Sequence, residues 1–138
     1  MITLLLLLFL LTSLSNQQTV DQLVEGYIQV VGTYESDCIT VSGANSGVVN
    51  QEFRNLKFKE DRATKCFWEC IYKKLDLISV SNEVLGYKIK QLIGLSDKDA
   101  SEEIYQKCIQ IRGSDTCETA TGIHRCLYTS VRAFLESQ

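Results

Sequence analysis

Two of the chain's six cysteines, Cys66 and Cys70, stand one helical turn apart inside the stretch Asp61 to Asp76, DRATKCFWECIYKKLD. On a helical wheel Ala63, Cys66, Phe67, Trp68, Cys70, Ile71, Tyr72 and Leu75 cover well over half the circumference. Arg62, Lys65, Glu69 and Lys73 fill the narrow remaining strip, and only Lys74 interrupts the apolar arc. A surface helix carries a single apolar stripe, so a helix this apolar belongs inside a bundle with neighbours on several sides. The two thiols leave it in the same direction, which predicts a central helix stapled twice.

Residues Ile2 to Leu11 are almost all Leu, Ile or Phe, and Thr12-Ser13-Leu14-Ser15 follows them. Ten apolar residues are too few to span a bilayer. A short apolar run before a small-residue site reads as a secretory signal peptide over residues 1–16, cut between Ser15 and Gln17, although no Lys or Arg precedes the run. A helix packed onto the N-terminal side of the domain would need a polar face toward solvent, and the run has none. Residues 17–138 are enough for one domain with a modest core. The formal charge of -3 argues against nucleic acid as a partner. In a small secreted chain six cysteines imply a disulfide framework, with about fifteen possible pairings. Excluding Cys66 with Cys70 removes about three of these and leaves about twelve.

Six helices are expected along the chain. Leu23, Val24, Tyr27, Ile28, Val31 and Tyr34 recur at helical spacing between Thr19 and Cys38, with Gly26 and Gly32 as points where that helix bends or divides. Ser42-Gly43-Ala44-Asn45-Ser46-Gly47 is a loop by composition. A short helix then turns Val48, Val49, Phe53 and Leu56 inward. Arg54, Lys57, Lys59, Arg62 and Lys65 form a basic run that reads as a solvated face. After the central helix, Leu77 and Ile78 lie in a turn-like segment and must find burial. Val84, Leu85, Ile89, Leu92 and Ile93 mark a fourth helix closing at Gly94. The fifth carries Ala100, Ile104, Cys108 and Ile111 and stops at Gly113, with Ser96, Asp97 or Asp99 as its cap. Asp115 with Glu118 resembles a capping box for the last helix, on which Ala120, Ile123, Leu127, Val131 and Phe134 recur. Cys117 and Cys126 face opposite sides of that helix and must bridge to different neighbours.

Catalytic chemistry finds no support. The one histidine, His124, has no free thiol to activate if all six cysteines are bridged. Cys66 and Cys70 lack the second close pair that a zinc site needs. No carboxylate lies in a stretch apolar enough to raise its pKa, and no phosphate-binding, calcium or nucleophile-elbow motif occurs. No cofactor or metal is expected. No basic amphipathic face suggests membrane insertion.

Between successive cysteines lie 27, 3, 37, 8 and 8 residues. With the leader and the all-helical pattern, this spacing resembles the insect odorant-binding proteins of the pheromone and general odorant-binding family, over the whole chain after residue 16. The resemblance implies an all-α, six-helix, disulfide-stapled bundle around an apolar cavity, with Cys38 paired to Cys70, Cys66 to Cys117 and Cys108 to Cys126. It also implies a secreted carrier of a small apolar ligand, acting as a monomer or weak homodimer, with a chemosensory receptor as a further partner. An interaction or signalling protein on the same scaffold is the alternative. A ligand cavity usually measures roughly 300 to 1,000 Å³. By position relative to the cysteines the family's pocket implicates Trp68, Tyr72, Leu75, Leu77, Ile78 and Leu127. Helical phase adds Tyr27, Ile28, Leu85, Ile89 and Leu92. Ala63, Phe67 and Ile71 are assigned to the core. Tyr72 is the candidate to hydrogen-bond a ligand oxygen, since a buried phenol needs a partner. Twelve residues follow Cys126. Tails of that length in the family fold against the cavity mouth, so Val131, Phe134 and Leu135 are expected to form a wall or lid; the alternative is a straight helical end.

Overall fold

The computed structural model describes residues 1–5 and 18–138; most of the expected leader, and its cleavage site, lies outside the described residues. From residue 18 onward the chain forms α1 (Val20–Gly32), α2 (Glu35–Ser42), α3 (Val48–Phe53), α4 (Arg62–Lys74), α5 (Gly86–Leu92), α6 (Lys98–Cys108) and α7 (Thr116–Glu136). All six expected helices are present. The first is divided after Gly32 into α1 and α2, while Gly26 sits inside an intact helix.

Side-chain caps set where the longer helices begin. Thr19 accepts from the Gln22 amide, and the Gln22 side chain returns the bond to the Thr19 N–H, a complete capping box on α1. Asp61, Asp97 and Asp115 cap α4, α6 and α7 through the amides of Thr64, Ala100 and Glu118. The box expected on α7 is only half made, because the Glu118 carboxylate goes to Lys65 at 3.0 Å instead. Gly94 has φ +78°, the left-handed residue that closes α5. Gly113 plays a different part from the one expected. α6 ends at Cys108, and a Cβ on Gly113 would meet the Glu118 Cβ at 2.2 Å, so this glycine lets the chain pass close under the first turn of α7.

α4 is the interior helix that its composition demands: along Arg62–Lys74 only Arg62 and Lys74 are exposed. Its largest interface is with α7, and α2 packs on another side. The three bridges join Cys38 to Cys70, Cys66 to Cys117 and Cys108 to Cys126, the pairs that the resemblance implies. α4 is therefore tied to α2 and to α7, and α6 is tied to the opposite side of α7.

Between α4 and α5 the chain makes a tight reversal. Asp76 and Asn82 take left-handed backbone, which short polar side chains tolerate. Ile78 pairs with Val84, and the Leu85 amide bonds the Leu77 carbonyl at 2.8 Å. Leu77 and Ile78 are thereby buried while Val80 at the tip is exposed. In α3, Val48, Val49 and Phe53 are buried as expected, but Leu56 is not: it follows the helix with φ +53° and is 43% exposed. Within the basic run, Arg54 pairs with Glu25, Arg62 with Asp115, and Lys65 with Glu60 and Glu118.

Candidate ligand-binding site

The apolar residues gather in two clusters. One holds Phe53, Phe67, Trp68, Ile71, Tyr72, Ile123 and Tyr128; the other holds Leu23, Ile93, Leu95, Ile104, Cys108 and Val131. Inside the first is a cavity with about 80 Å³ of water-accessible space. That is well below the range expected for a ligand chamber, and packed rings make up much of its wall. Trp68 stacks on His124 at 3.6 Å between centroids, and Phe53 presents its edge to Trp68, His124 and Tyr128.

Of the residues assigned to the pocket, Tyr27, Trp68, Tyr72, Leu75, Leu77, Ile89, Leu92 and Leu127 line this cavity. Ile28, Ile78 and Leu85 do not: Ile78 is 1% exposed within the solid core, Ile28 packs against the cluster from outside, and Leu85 is the N-terminal flank of α5. Val131, Phe134 and Leu135 form no lid. α7 continues unbroken to Glu136, and these three belong to the second cluster, Val131 fully buried there. The uninterrupted apolar spacing of the last helix outweighs any fold-back, because Leu23, Leu95 and Ile104 offer its final turns a surface to bury.

Seven lining residues escaped the sequence reading: Val30, Val31, Phe53, Ile71, Ile93, His124 and Tyr128. Ile71, expected in the core, is among them: one helix turn of α4 presents both Trp68 and Ile71 to the void. The rim is the part nearest solvent, with Val30 38% and Leu92 40% exposed. The floor is closed by Trp68, Phe53, Tyr128 and His124.

The floor carries the polar feature of the site. Glu52, an ionisable side chain that the sequence reading does not place in the interior, is 1% exposed. One carboxylate oxygen, Oε1, accepts from Arg125 Nη2 at 2.9 Å, and Oε2 lies 3.1 Å from His124 Nε2. Arg125 also reaches Glu60, and Lys65 joins Glu60 to Glu118, so the buried carboxylate opens outward into a row of alternating charges. Burial pushes the His124 pKa down, and the Glu52 bond only partly offsets it. Burial likewise pushes the Tyr72 and Tyr27 hydroxyls well above the usual tyrosine range, each reinforced by a neighbouring phenol, so both are neutral. Tyr27 donates to the Ile93 carbonyl at 2.5 Å and Tyr128 to the Phe53 carbonyl, tying α1 to the end of α5 and α7 to the end of α3. Trp68 Nε1 is fully enclosed without an acceptor among the described residues, and nothing in the structure explains it.

This arrangement offers an apolar void and aromatic walls, and among the described residues there is no free thiol and no metal-ligating cluster. A family model described as the PBP/GOBP family matches residues 21–130. The chain belongs to the PBP/GOBP family. Odorant-binding protein 10 of Aedes aegypti is 29% identical over 96 residues, an alignment covering 67% of either chain. The B2 protein of Tenebrio molitor is 29% identical over 111 residues, 78% of this chain and 84% of the relative. The B1 protein of Tenebrio molitor is 28% identical over 120 residues, 85% and 90% respectively. The family match spans α1 through most of α7 and includes all six cysteines and the whole cavity lining. Among the described residues no helix is long and apolar enough to cross a membrane.

Proposed function

We propose that the protein is a secreted carrier that takes a small hydrophobic molecule, such as an odorant, pheromone or similar semiochemical, into the cavity and moves it through aqueous fluid. Residues 1–16 serve as its signal peptide. No covalent step, metal or cofactor takes part, and a chemosensory receptor is the natural acceptor of the cargo from a monomer or weak homodimer.

The observation that carries this reading is the cavity: an apolar void roofed by Val30, Leu75, Leu92 and Leu127 and floored by stacked rings. Each methylene moved into it gains about 0.8 kcal/mol before the cost of association. About 80 Å³ holds only a few heavy atoms, so a ligand of odorant size enters by pushing aside the partly exposed rim. The bridges allow a domain this small to keep a void, since they stabilise it without filling the core. Tyr72 is the side chain proposed to meet a ligand oxygen.

Fluorescence titration of the purified secreted protein with N-phenyl-1-naphthylamine tests the carrier. Saturable micromolar binding, reversed by small apolar competitors, is expected. The second reading, a secreted interaction protein on the same scaffold, is favoured by the small free volume and predicts that the dye neither saturates nor is displaced.

A further inference from the structure

The polar atoms of the cavity can be accounted for one at a time. Five lining side chains carry one: Tyr27, Trp68, Tyr72, His124 and Tyr128. The Tyr27 and Tyr128 hydroxyls are committed to backbone carbonyls, and Trp68 Nε1 is fully enclosed and beyond reach of a ligand. His124 Nε2 faces Glu52 Oε2. With Arg125 bonded to its other oxygen, Glu52 is a carboxylate that can only accept, so Nε2 carries the hydrogen. Burial favours the neutral ring. A neutral ring with hydrogen on Nε2 keeps a lone pair on Nδ1, and no group among the described residues meets that nitrogen. Among the described residues the Tyr72 hydroxyl also has no hydrogen-bond partner, and its ring centroid is 6.5 Å from that of His124.

We propose that the cavity selects small alcohols, whose hydroxyl donates to His124 Nδ1 and accepts from the Tyr72 hydroxyl. Glu52 is a positioning residue that fixes the His124 tautomer and, held by Arg125, keeps it fixed. This inference rests on the carrier reading and names its ligand class. The two open sites demand opposite roles, and a ligand O–H supplies both. An ether, ester or ketone satisfies Tyr72 and leaves Nδ1 dry. A hydrocarbon leaves both dry, at the penalty of unmet buried polar groups. A carboxylate brings a charge into a chamber that no cationic side chain lines.

His124 is the only histidine, so its two ring nitrogens are assigned without ambiguity in a ¹⁵N-labelled sample. Near pH 7.5 the unliganded protein should show hydrogen on Nε2 and a bare Nδ1. Adding hexan-1-ol should shift the Nδ1 resonance toward a hydrogen-bonded value, and its isomer dipropyl ether should not. In dye displacement hexan-1-ol should compete about tenfold better than dipropyl ether or n-heptane, the value of one to two hydrogen bonds. Glu52→Gln, which lets the tautomer exchange, should narrow that ratio and mix the two nitrogen signals. Hydrogen on Nδ1 in the unliganded protein, or equal competition by alcohol and ether, would overturn the proposal and leave the carrier standing. Absence of binding by all three compounds and by the dye would overturn the carrier reading as well.

Discussion

The two apolar clusters flank the same last helix and have opposite characters. The cluster around Trp68 is built of rings set edge to face, two of them with hydroxyls drawn to backbone carbonyls, and it surrounds a void. The cluster around Val131 is mostly aliphatic, and it meets the void at its edge, through Ile93, Tyr27 and Leu127. Flat rings whose polar ends are tethered cannot slide together to fill a gap, whereas Leu, Ile and Val can. The contrast separates a region that holds space from one that holds the fold.

Bridge removal should separate the two most strongly. Cys66–Cys117, on the ring side, closes a separation of 51 residues, and Cys108–Cys126, on the aliphatic side, closes 18. The chain-entropy model gives losses of about 4 and about 3 kcal/mol on replacing each pair with serine, readable in urea unfolding. Dye binding should be lost with the first pair and kept with the second; the reverse pattern would erase the distinction. Next in size is Val131→Ala, which should lower stability by about 2 kcal/mol and leave dye affinity unchanged. Leu75→Ala at the rim should do the opposite, altering affinity severalfold with less than about 1 kcal/mol of destabilisation.

Acid should act on the ring side first. The folded-state pKa of His124 is depressed, so below the ordinary histidine value of about 6.5 the unfolded chain binds a proton that the native ring refuses. Stability is therefore full above that pH and falls as pH drops through it, by up to about 1.4 kcal/mol per pH unit. Urea midpoints measured from pH 7.5 to 5 should show the slope, and His124→Phe should flatten it. The smallest contrast lies within the cavity. Tyr27→Phe loses the bond to the Ile93 carbonyl and should cost about 1 kcal/mol, while Tyr72→Phe loses no protein bond and should stay within about 0.5 kcal/mol.

Much of the frame is legible in the sequence, because cysteine spacing, acidic caps and apolar periodicity are local signals. Asp61, Asp97 and Asp115 cap the helices that their positions announce, and the Asp61 to Asp76 wheel identifies the interior helix. The floor of the site is less legible. Glu52 follows Val48 by one turn and adjoins Phe53, so it lies on the inward face of α3, but a carboxylate there reads as surface unless its partners are known. Those partners, His124 and Arg125, lie more than 70 residues away, and only the fold brings them together. His124 has the same hidden signal, one turn after Ala120 and one before Tyr128 on the buried side of α7. The tail misleads for a different reason: its apolar residues need burial, and periodicity alone does not reveal that the Leu23 and Ile104 side offers it.

The bridges also overlap along the chain. Cys66 lies inside the loop closed by Cys38–Cys70, and Cys108 lies inside the loop closed by Cys66–Cys117. Every peptide bond between Cys38 and Cys126 is therefore spanned by at least one covalent crosslink. A protease that nicks the exposed Val80 turn, or any other single site in that interval, leaves two fragments that cannot diffuse apart until a reductant arrives. In an extracellular fluid rich in hydrolases, the molecule would survive its first cut in one piece.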